Sequence, residues 1–527
     1  MFDYLIQNAR ILDGSGGPVR QGDVALSSGH IAAVGQLMDT TAVQVLDARG
    51  RYLTPGFLDI HRHADDALFR PGWGRAELCQ GLTTVVNGNC GLSLAPVDGP
   101  HRQETLSYLA PIVGQLPSGR EFPTLADYRH QAAAAHPPLH TGMLVGMGTL
   151  RACVAGFRDG PLTEEEYRQL HTLLERALED GALGVSLGLG YAPECFYDMP
   201  GLIRALEPLR DSGVPITVHM RQEGDGVVDA LSEMLTVARS LRTPVEISHL
   251  KAIGRRNWRW AVPEMLRMLE QARQEGLDIA CDVYPYPAGS TQLIHVLPPE
   301  FQAGGIDALT ASLQTPEKRA TMRRRMETGT DFENISLLVG FENILPTSLH
   351  DPADRPWEGI SLADLAHRQG GDPYDVLFDL LAREHCAASM IDRITDQADI
   401  DDILRAPFSS VISDATYPVG GLLHPRVYGT FPRVLESYVR ERHVLTLPEA
   451  VHKMTRLPAD RLGLTRKGRI EVSADADLCL FDPAAIHERG TWQDPEQLAA
   501  GMDFVFVAGV PAIAEGHFTG ARNGTIL

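Results

Sequence analysis

The chain has 527 residues, too many for one ordinary domain, and its 44% hydrophobic and 22% charged content is that of a folded protein with a large core. A net charge of -21 at pH 7 disfavours nucleic acid and anionic membrane surfaces as partners and leaves small-molecule chemistry as the better fit. The seven cysteines are odd in number, widely spread and without a CxxC pair, so they read as reduced thiols; with no basic stretch and apolar leader at the start, a cytoplasmic location is expected.

Residues 1–54 hold short β-like runs at 4–12, 23–27, 31–34 and 43–48, punctuated by glycine-rich turns. The stretch 57–91 follows, and it is the richest in chemistry. Its run 57–63 reads as a strand on which His61 and His63, at i and i+2, share a face. The run 83–86 reads as a second buried strand that delivers Cys90 between two glycines in Asn87-Gly-Asn-Cys-Gly. Taken singly, the histidine pair is as consistent with a structural role as with a metal, and Cys90 with an inert buried thiol.

Further strand-like runs lie at 141–145, 183–189, 215–219, 245–249, 278–284 and 409–414, making eight with the two before them. Helical patterns separate them: Thr163 and Glu166 form a capping box ahead of Tyr167, Leu170, Leu174 and Leu178, and 227–241 repeats the spacing. Eight strands alternating with helices predict an α/β fold, a (β/α)8 TIM-like barrel with its chemistry at the carboxyl ends of the strands. The stretch from about 288 to 352 is too structured for a loop and is expected as a lid-like insertion after the seventh strand. The tail from 468 to 527, with runs at 477–481 and 504–508, has the texture of the first 54 residues. Both chain ends, 1–54 plus 468–527, are therefore expected to form one small β-sandwich domain around a barrel domain at 55–467.

His219 and His249 end the fifth and sixth strands and Asp414 ends the eighth, so all three are expected at the mouth beside His61 and His63. Imidazoles and a thiolate are zinc ligands, and a bound Zn2+ can bring the pKa of water to about 7. Asp414 is placed to accept a proton from such a water.

At this point the sequence resembles the amidohydrolase superfamily, and within it the N-acyl-D-amino-acid deacylases (D-aminoacylases). The resemblance runs through Pro55-Gly-Phe-Leu-Asp-Ile-His-Arg-His, Gln80-Gly-Leu-Thr-Thr-Val-Val-Asn-Gly-Asn-Cys-Gly, His219-Met-Arg-Gln-Glu-Gly, Ile247-Ser-His-Leu-Lys and Tyr284-Pro-Tyr-Pro-Ala-Gly-Ser-Thr. It continues through Ser413-Asp, His424-Pro-Arg-Val-Tyr-Gly-Thr-Phe-Pro-Arg, Lys467-Gly-Arg-Ile and Ala474-Asp-Ala-Asp-Leu. It implies a tight zinc held by Cys90, His219 and His249, a weaker second site involving His61 and His63, and Asp414 as the catalytic carboxylate. It associates Lys251, Arg426, Tyr191 and Tyr284 with the substrate's α-carboxylate. Lysine as a point charge and arginine as a planar fork suit that task.

Many relatives bridge two metals with a modified lysine on the fourth strand, but the only lysines here are Lys251, Lys318, Lys453 and Lys467, none of them on it. Cys90 is the substitute bridge that the resemblance implies. Two departures stand out: His61-Arg-His-Ala-Asp-Asp where deacylases commonly read His-Thr-His-Asp-Asp, and Ser186-Leu-Gly-Leu where they read Ser-Thr-Gly-Leu. The expected activity is zinc-dependent hydrolysis of the amide bond of a small-molecule N-acyl-D-amino acid. A dipeptidase or cyclic-amide hydrolase on the same scaffold, and a non-catalytic assembly protein, are the alternatives. Side-chain choice is expected at Gln292, Leu293 and His295, and the sequence sets no oligomeric state.

Overall fold

The structure, a computed structural model, describes residues 1–38, 40–116, 119–418 and 420–527. Eight short parallel strands surround a common axis: β1 (Phe57–Asp59), β2 (Leu82–Asn87), β3 (His140–Met143, continued at Val145–Gly146), β4 (Val185–Gly188), β5 (Ile216–His219), β6 (Val245–Ile247), β7 (Ile279–Val283) and β8 (Ser409–Val411). β1, β2 and the first half of β3 pair in parallel, and the second half of β3 runs on through β4 to β8 in a six-stranded parallel sheet. The ring closes beyond β8, where Ala415 and Thr416 pair in parallel with Arg62 and His63 and the Asp414 amide donates to the His61 carbonyl at 2.9 Å. The fold is the (β/α)8 barrel expected from the alternating pattern. Its strands are buried throughout because helices cover the outer face, which is why they read as continuous apolar runs.

The helices obey the local signals. Thr163 caps the helix Glu164–Glu179 by accepting from the Glu166 amide at 3.3 Å, while Glu166 returns a bond to the Thr163 amide at 2.6 Å. Its buried stripe is Tyr167, Leu170, Leu174 and Ala177. The 3.6-residue period has by then carried Leu178 to a half-buried position. No helix among the described residues is long and apolar enough to cross a membrane.

Both chain ends enter one nine-stranded sheet, in which Leu478–Phe481 pairs antiparallel with Tyr52–Pro55 and so joins the tail to the head. Ile6, Val24 and Leu26 from the first end and Leu478, Phe504 and Phe506 from the last share one apolar cluster. Asp477 fastens this sheet to the barrel, its carboxylate accepting from His140 Nε2 of β3 at 3.0 Å and from Lys467 Nζ at 2.8 Å.

The insertion between β7 and β8 departs from its expected boundary. Ala288–Gln292, Ile344–Thr347 and Ser389–Arg393 form a three-stranded antiparallel sheet with the last strand in the centre. The unit therefore extends past 352 to at least Arg393. Ser389–Arg393 carries Asp392 and Arg393 in its five residues, and this polar end hides the strand from an apolar-run reading.

Candidate metal centre

Cys90 leaves β2 through a turn that sequence alone specifies well. Gly88 has φ +77°, and a Cβ there would collide with the Leu144 carbonyl, so only glycine fits. Ser186 of β4 then clamps the turn from both sides, its hydroxyl donating to the Gly88 carbonyl at 2.5 Å and accepting from the Gly91 amide at 3.0 Å. Cys90, His249 and Asp414 are all non-glycine residues with positive φ, at 54°, 35° and 51°. Such conformations cost on the order of 1 kcal/mol each and persist where the surroundings fix them, commonly at functional sites.

Two sets of buried donors meet at the strand ends. Cys90, His219 and His249 form one, and His61, His63, Cys90 and Asp414 form the other, the donor atoms of each set lying within 4.8 Å of one another. Cys90 belongs to both. Its sulfur is 3.5 Å from His249 Nε2 and 3.2 Å from His61 Nε2, and His219 Nδ1 is 3.0 Å from His249 Nε2. Asp414 Oδ1 lies 3.4 Å from His61 Nε2 and 3.3 Å from His63 Nε2. Ligand atoms around one tetrahedral zinc stand ~3.3–3.6 Å apart, given bonds of about 2.0 Å to nitrogen and 2.3 Å to sulfur. The nitrogen, sulfur and oxygen donors present fit such an ion in chemistry and in spacing.

Carboxylates behind the imidazoles set their orientation. Glu223 Oε1 is 3.0 Å and Lys251 Nζ 2.7 Å from His249 Nδ1, while Nε2 faces Cys90. Asp282 of β7 accepts from the His249 amide and lies 3.6 Å from His61 Nδ1. Burial, and then the neighbouring Lys251 ammonium, holds His249 well below the usual imidazole range, and burial does the same to His219. Burial opposes charge on His61 too, but the adjoining Cys90 and Asp282 outweigh it and lift its pKa well above that range. Asp414 is buried as well, yet Arg426 and the neighbouring histidines keep its carboxyl well below the ordinary carboxylate range.

The structure brings Lys251, Arg426, Tyr191 and Tyr284 to the same place. Lys251 Nζ lies 5.9 Å and Arg426 Cζ 4.9 Å from the centre of the Tyr284 ring, whose buried hydroxyl has no hydrogen-bond partner among the described residues. Tyr191 stacks 4.3 Å from His219 and 4.2 Å from His295 and exchanges a hydrogen bond with Thr291 at 3.3 Å. Burial lowers His295 to about 3, so it presents a neutral ring. The two cations, expected from the sequence as a point charge and a planar fork open to substrate, already have partners: Lys251 Nζ pairs with Glu223 Oε2 at 2.7 Å and Arg426 Nη1 with Asp414 Oδ2 at 2.9 Å. Arg62, the departure between the two histidines, points away from the donors toward Glu77 at 2.9 Å, Asp59 at 3.4 Å and the Tyr417 hydroxyl.

Sequence reasoning missed Glu223 and Asp282. The available signals were slight: a carboxylate four residues past a strand-end histidine, and an acid inside an apolar strand.

Three comparisons bear on this arrangement. The model of the Amidohydrolase family matches residues 44–294 and 362–512. D-aminoacylase of Alcaligenes xylosoxydans xylosoxydans is 33% identical over 526 residues, covering 100% of this chain and 97% of the relative, and N-acyl-D-glutamate deacylase of the same organism is 35% identical over 513 residues, covering 96% and 93%. The crystal structure of N-acyl-D-glutamate deacylase from Bordetella bronchiseptica, complexed with zinc and a phosphonate inhibitor that mimics the tetrahedral intermediate, superposes with a TM-score of 0.83 at 31% identity, covering 100% of this chain and 99% of that one.

Proposed function

The chain belongs to the amidohydrolase family, and on that footing we propose that it is a zinc-dependent N-acyl-D-amino-acid deacylase. The reaction adds water to the amide carbonyl carbon and breaks the C–N bond, releasing a carboxylate and a D-amino acid. The observation that carries the reading is Cys90 standing in both buried donor sets, within a chain similar over its full length to deacylases of D-configured substrates.

In this reading Cys90, His219 and His249 hold one zinc tightly, and His61 and His63, with Cys90 shared, offer a weaker second site. Zinc, when bound, supplies Lewis acidity toward the carbonyl and makes water at the site more acidic. Glu223 and Lys251, both beside Nδ1, hold the His249 ring with Nε2 toward Cys90. Asp414, kept ionised beside Arg426, takes the proton of the attacking water at a carboxylate oxygen and returns it to the leaving nitrogen. Lys251, Arg426, Tyr191 and Tyr284 receive the α-carboxylate, and the free Tyr284 hydroxyl is a donor in waiting. The neutral His295 ring against Tyr191 supports a pocket for uncharged side chains. The same reading divides the chain into an end domain, a catalytic barrel and an insertion whose first strand borders the pocket.

A hydrolysis panel of N-acetyl-D-amino acids, their L-isomers, β-aspartyl dipeptides and hydantoins tests the proposal. Release of D-amino acids well ahead of every other product supports it. Faster turnover of a dipeptide or hydantoin would replace it.

A further inference from the structure

We propose that Glu488, on the segment 487–498 contributed by the end domain, is a positioning residue that sets the spacing of Tyr284 and Arg426 across the substrate pocket. The inference rests on the deacylase reading only in assigning Tyr284 and Arg426 to a carboxylate.

The segment lies between the short turn of helix Pro483–Ala485 and the strand Met502–Val507 of the nine-stranded sheet, far in the chain from either pocket residue. Glu488 is nonetheless largely buried, with a side chain 12% exposed, and each oxygen reaches a different wall of the pocket. Oε1 accepts from the Tyr286 hydroxyl at 2.7 Å, and Oε2 accepts from Arg433 Nη1 at 2.9 Å. Tyr286 sits two residues past Tyr284 on the extension of β7, and Arg433 ends the helix Arg426–Arg433 that begins at Arg426.

The two walls are locked further around this carboxylate. Arg433 Nε donates to the Pro285 carbonyl at 2.8 Å while its guanidinium lies 4.5 Å over the Tyr286 ring. Gly429, in the middle of the helix, approaches so closely that a Cβ there would stand 2.8 Å from both Glu488 Oε1 and the Tyr286 hydroxyl. Near the other end of the helix, His424 Nδ1 accepts from the Arg426 amide at 3.0 Å and Nε2 bonds the Ala288 carbonyl at 2.9 Å. Trp492 of the same tail segment meets the His424 ring edge-on at 4.9 Å.

A buried carboxylate shared by a hydroxyl and a guanidinium admits little play, since both its hydrogen bonds are strong and short. Removing it leaves the β7 extension and the helix joined only by the Arg433–Pro285 bond and the Arg433–Tyr286 stack, which loosens their spacing, and a displacement of order 1 Å at groups that grip a substrate costs heavily in binding and rate. Neither Tyr286 nor Arg433 belongs to the metal donor sets, so zinc content is expected to hold, while the pairing of Arg426 with Asp414 at 2.9 Å adds a smaller loss common to acid and amide beside the acid-specific one.

The test compares Glu488→Ala, Glu488→Asp and wild type, each zinc-loaded, on the N-acetyl-D-amino acid that wild type hydrolyses fastest and on its α-amide. The expected result for Glu488→Ala is a KM for the acid raised about tenfold, a much smaller rise for the amide and an unchanged zinc content, with Glu488→Asp recovering part of the loss. Equal effects on acid and amide, or none, in a folded variant would overturn the proposal. Should Glu488→Ala fail to fold, Tyr286→Phe, which deletes one hydrogen bond, must shift the acid-to-amide ratio in the same direction; an unchanged ratio would overturn it equally. If wild type hydrolyses none of these substrates, the deacylase reading falls, and calorimetric affinities for a free D-amino acid and its amide then decide the positioning role by the same ratio.

Discussion

Glu223 Oε1 lies 3.0 Å and Lys251 Nζ 2.7 Å from His249 Nδ1 while His249 Nε2 faces the Cys90 sulfur at 3.5 Å, so a carboxylate and an ammonium stand together behind the ring. Glu223 also pairs with Lys251 at 2.7 Å. Supporting carboxylates of this kind are worth about 10- to 100-fold in metal affinity. Glu223→Ala is expected to weaken zinc binding by that order, measured by competition with a chelator; an affinity equal to wild type would show that the ring needs no such partner.

Cys90→Ala and Asp414→Asn are expected to fail differently. Cys90 is the only sulfur in either donor set, so its loss should strip zinc and activity together. Asp414→Asn keeps the shape and leaves the tight set intact, so it should retain most of the zinc while turnover falls by about 10³-fold, the scale of a lost acid-base group. Metal analysis beside kinetics separates the two, and an Asn variant with near-normal turnover would assign the base elsewhere.

Arg426 is fully buried, donates to the Ser290 carbonyl at 2.9 Å and meets Asp414 at 2.9 Å, and its Nε has no hydrogen-bond partner among the described residues. A planar fork already committed on two sides cannot be replaced by an ammonium. Arg426→Lys should therefore lower kcat/KM for an N-acetyl-D-amino acid by about 100-fold although the charge remains. A loss of the same size on the α-amide would mean that Arg426 serves Asp414 alone and does not read the substrate's carboxylate.

Asp477 gives the acid side of stability. Burial raises its pKa, but His140 and Lys467 outweigh burial and hold the carboxyl well below the ordinary range. A depressed folded pKa adds stability that is present above the unfolded value of about 4 and is lost as pH falls through the folded one. Asp477→Asn should cost about 2 kcal/mol at neutral pH, less than a typical buried pair because Asp475 remains 3.2 Å from Lys467. Denaturant melts of the two proteins should converge as pH drops below about 4. A gap that stays constant with pH would assign the effect to packing.

The eight barrel strands were legible because a parallel strand buried on both faces is an unbroken apolar run, and here several runs end in a residue of a type that can bind metal. That His61, His63, Cys90, His219, His249 and Asp414 would come together at the strand ends could be read from position for that reason. The extent of the insertion was not legible, since Ser389–Arg393 owes its place in the ladder to pairing with two distant strands and not to any pattern of its own. Glu223 and Asp282 were invisible for a related reason: what a carboxylate does depends on the groups it faces, and those lie on other strands. The pairing of Lys251 with Glu223 and of Arg426 with Asp414 is likewise a tertiary fact. The sequence showed two cations near the mouth and could not show that each already had a partner.

The most direct measurement is a titration of zinc into metal-free protein while the release of D-amino acid from an N-acetyl-D-amino acid is followed. The account predicts negligible activity at the start and a rate that climbs with added zinc and levels off near one equivalent, with the L-isomer untouched throughout. Full turnover by protein holding less than about a tenth of an equivalent, or equal turnover of both isomers, would contradict it.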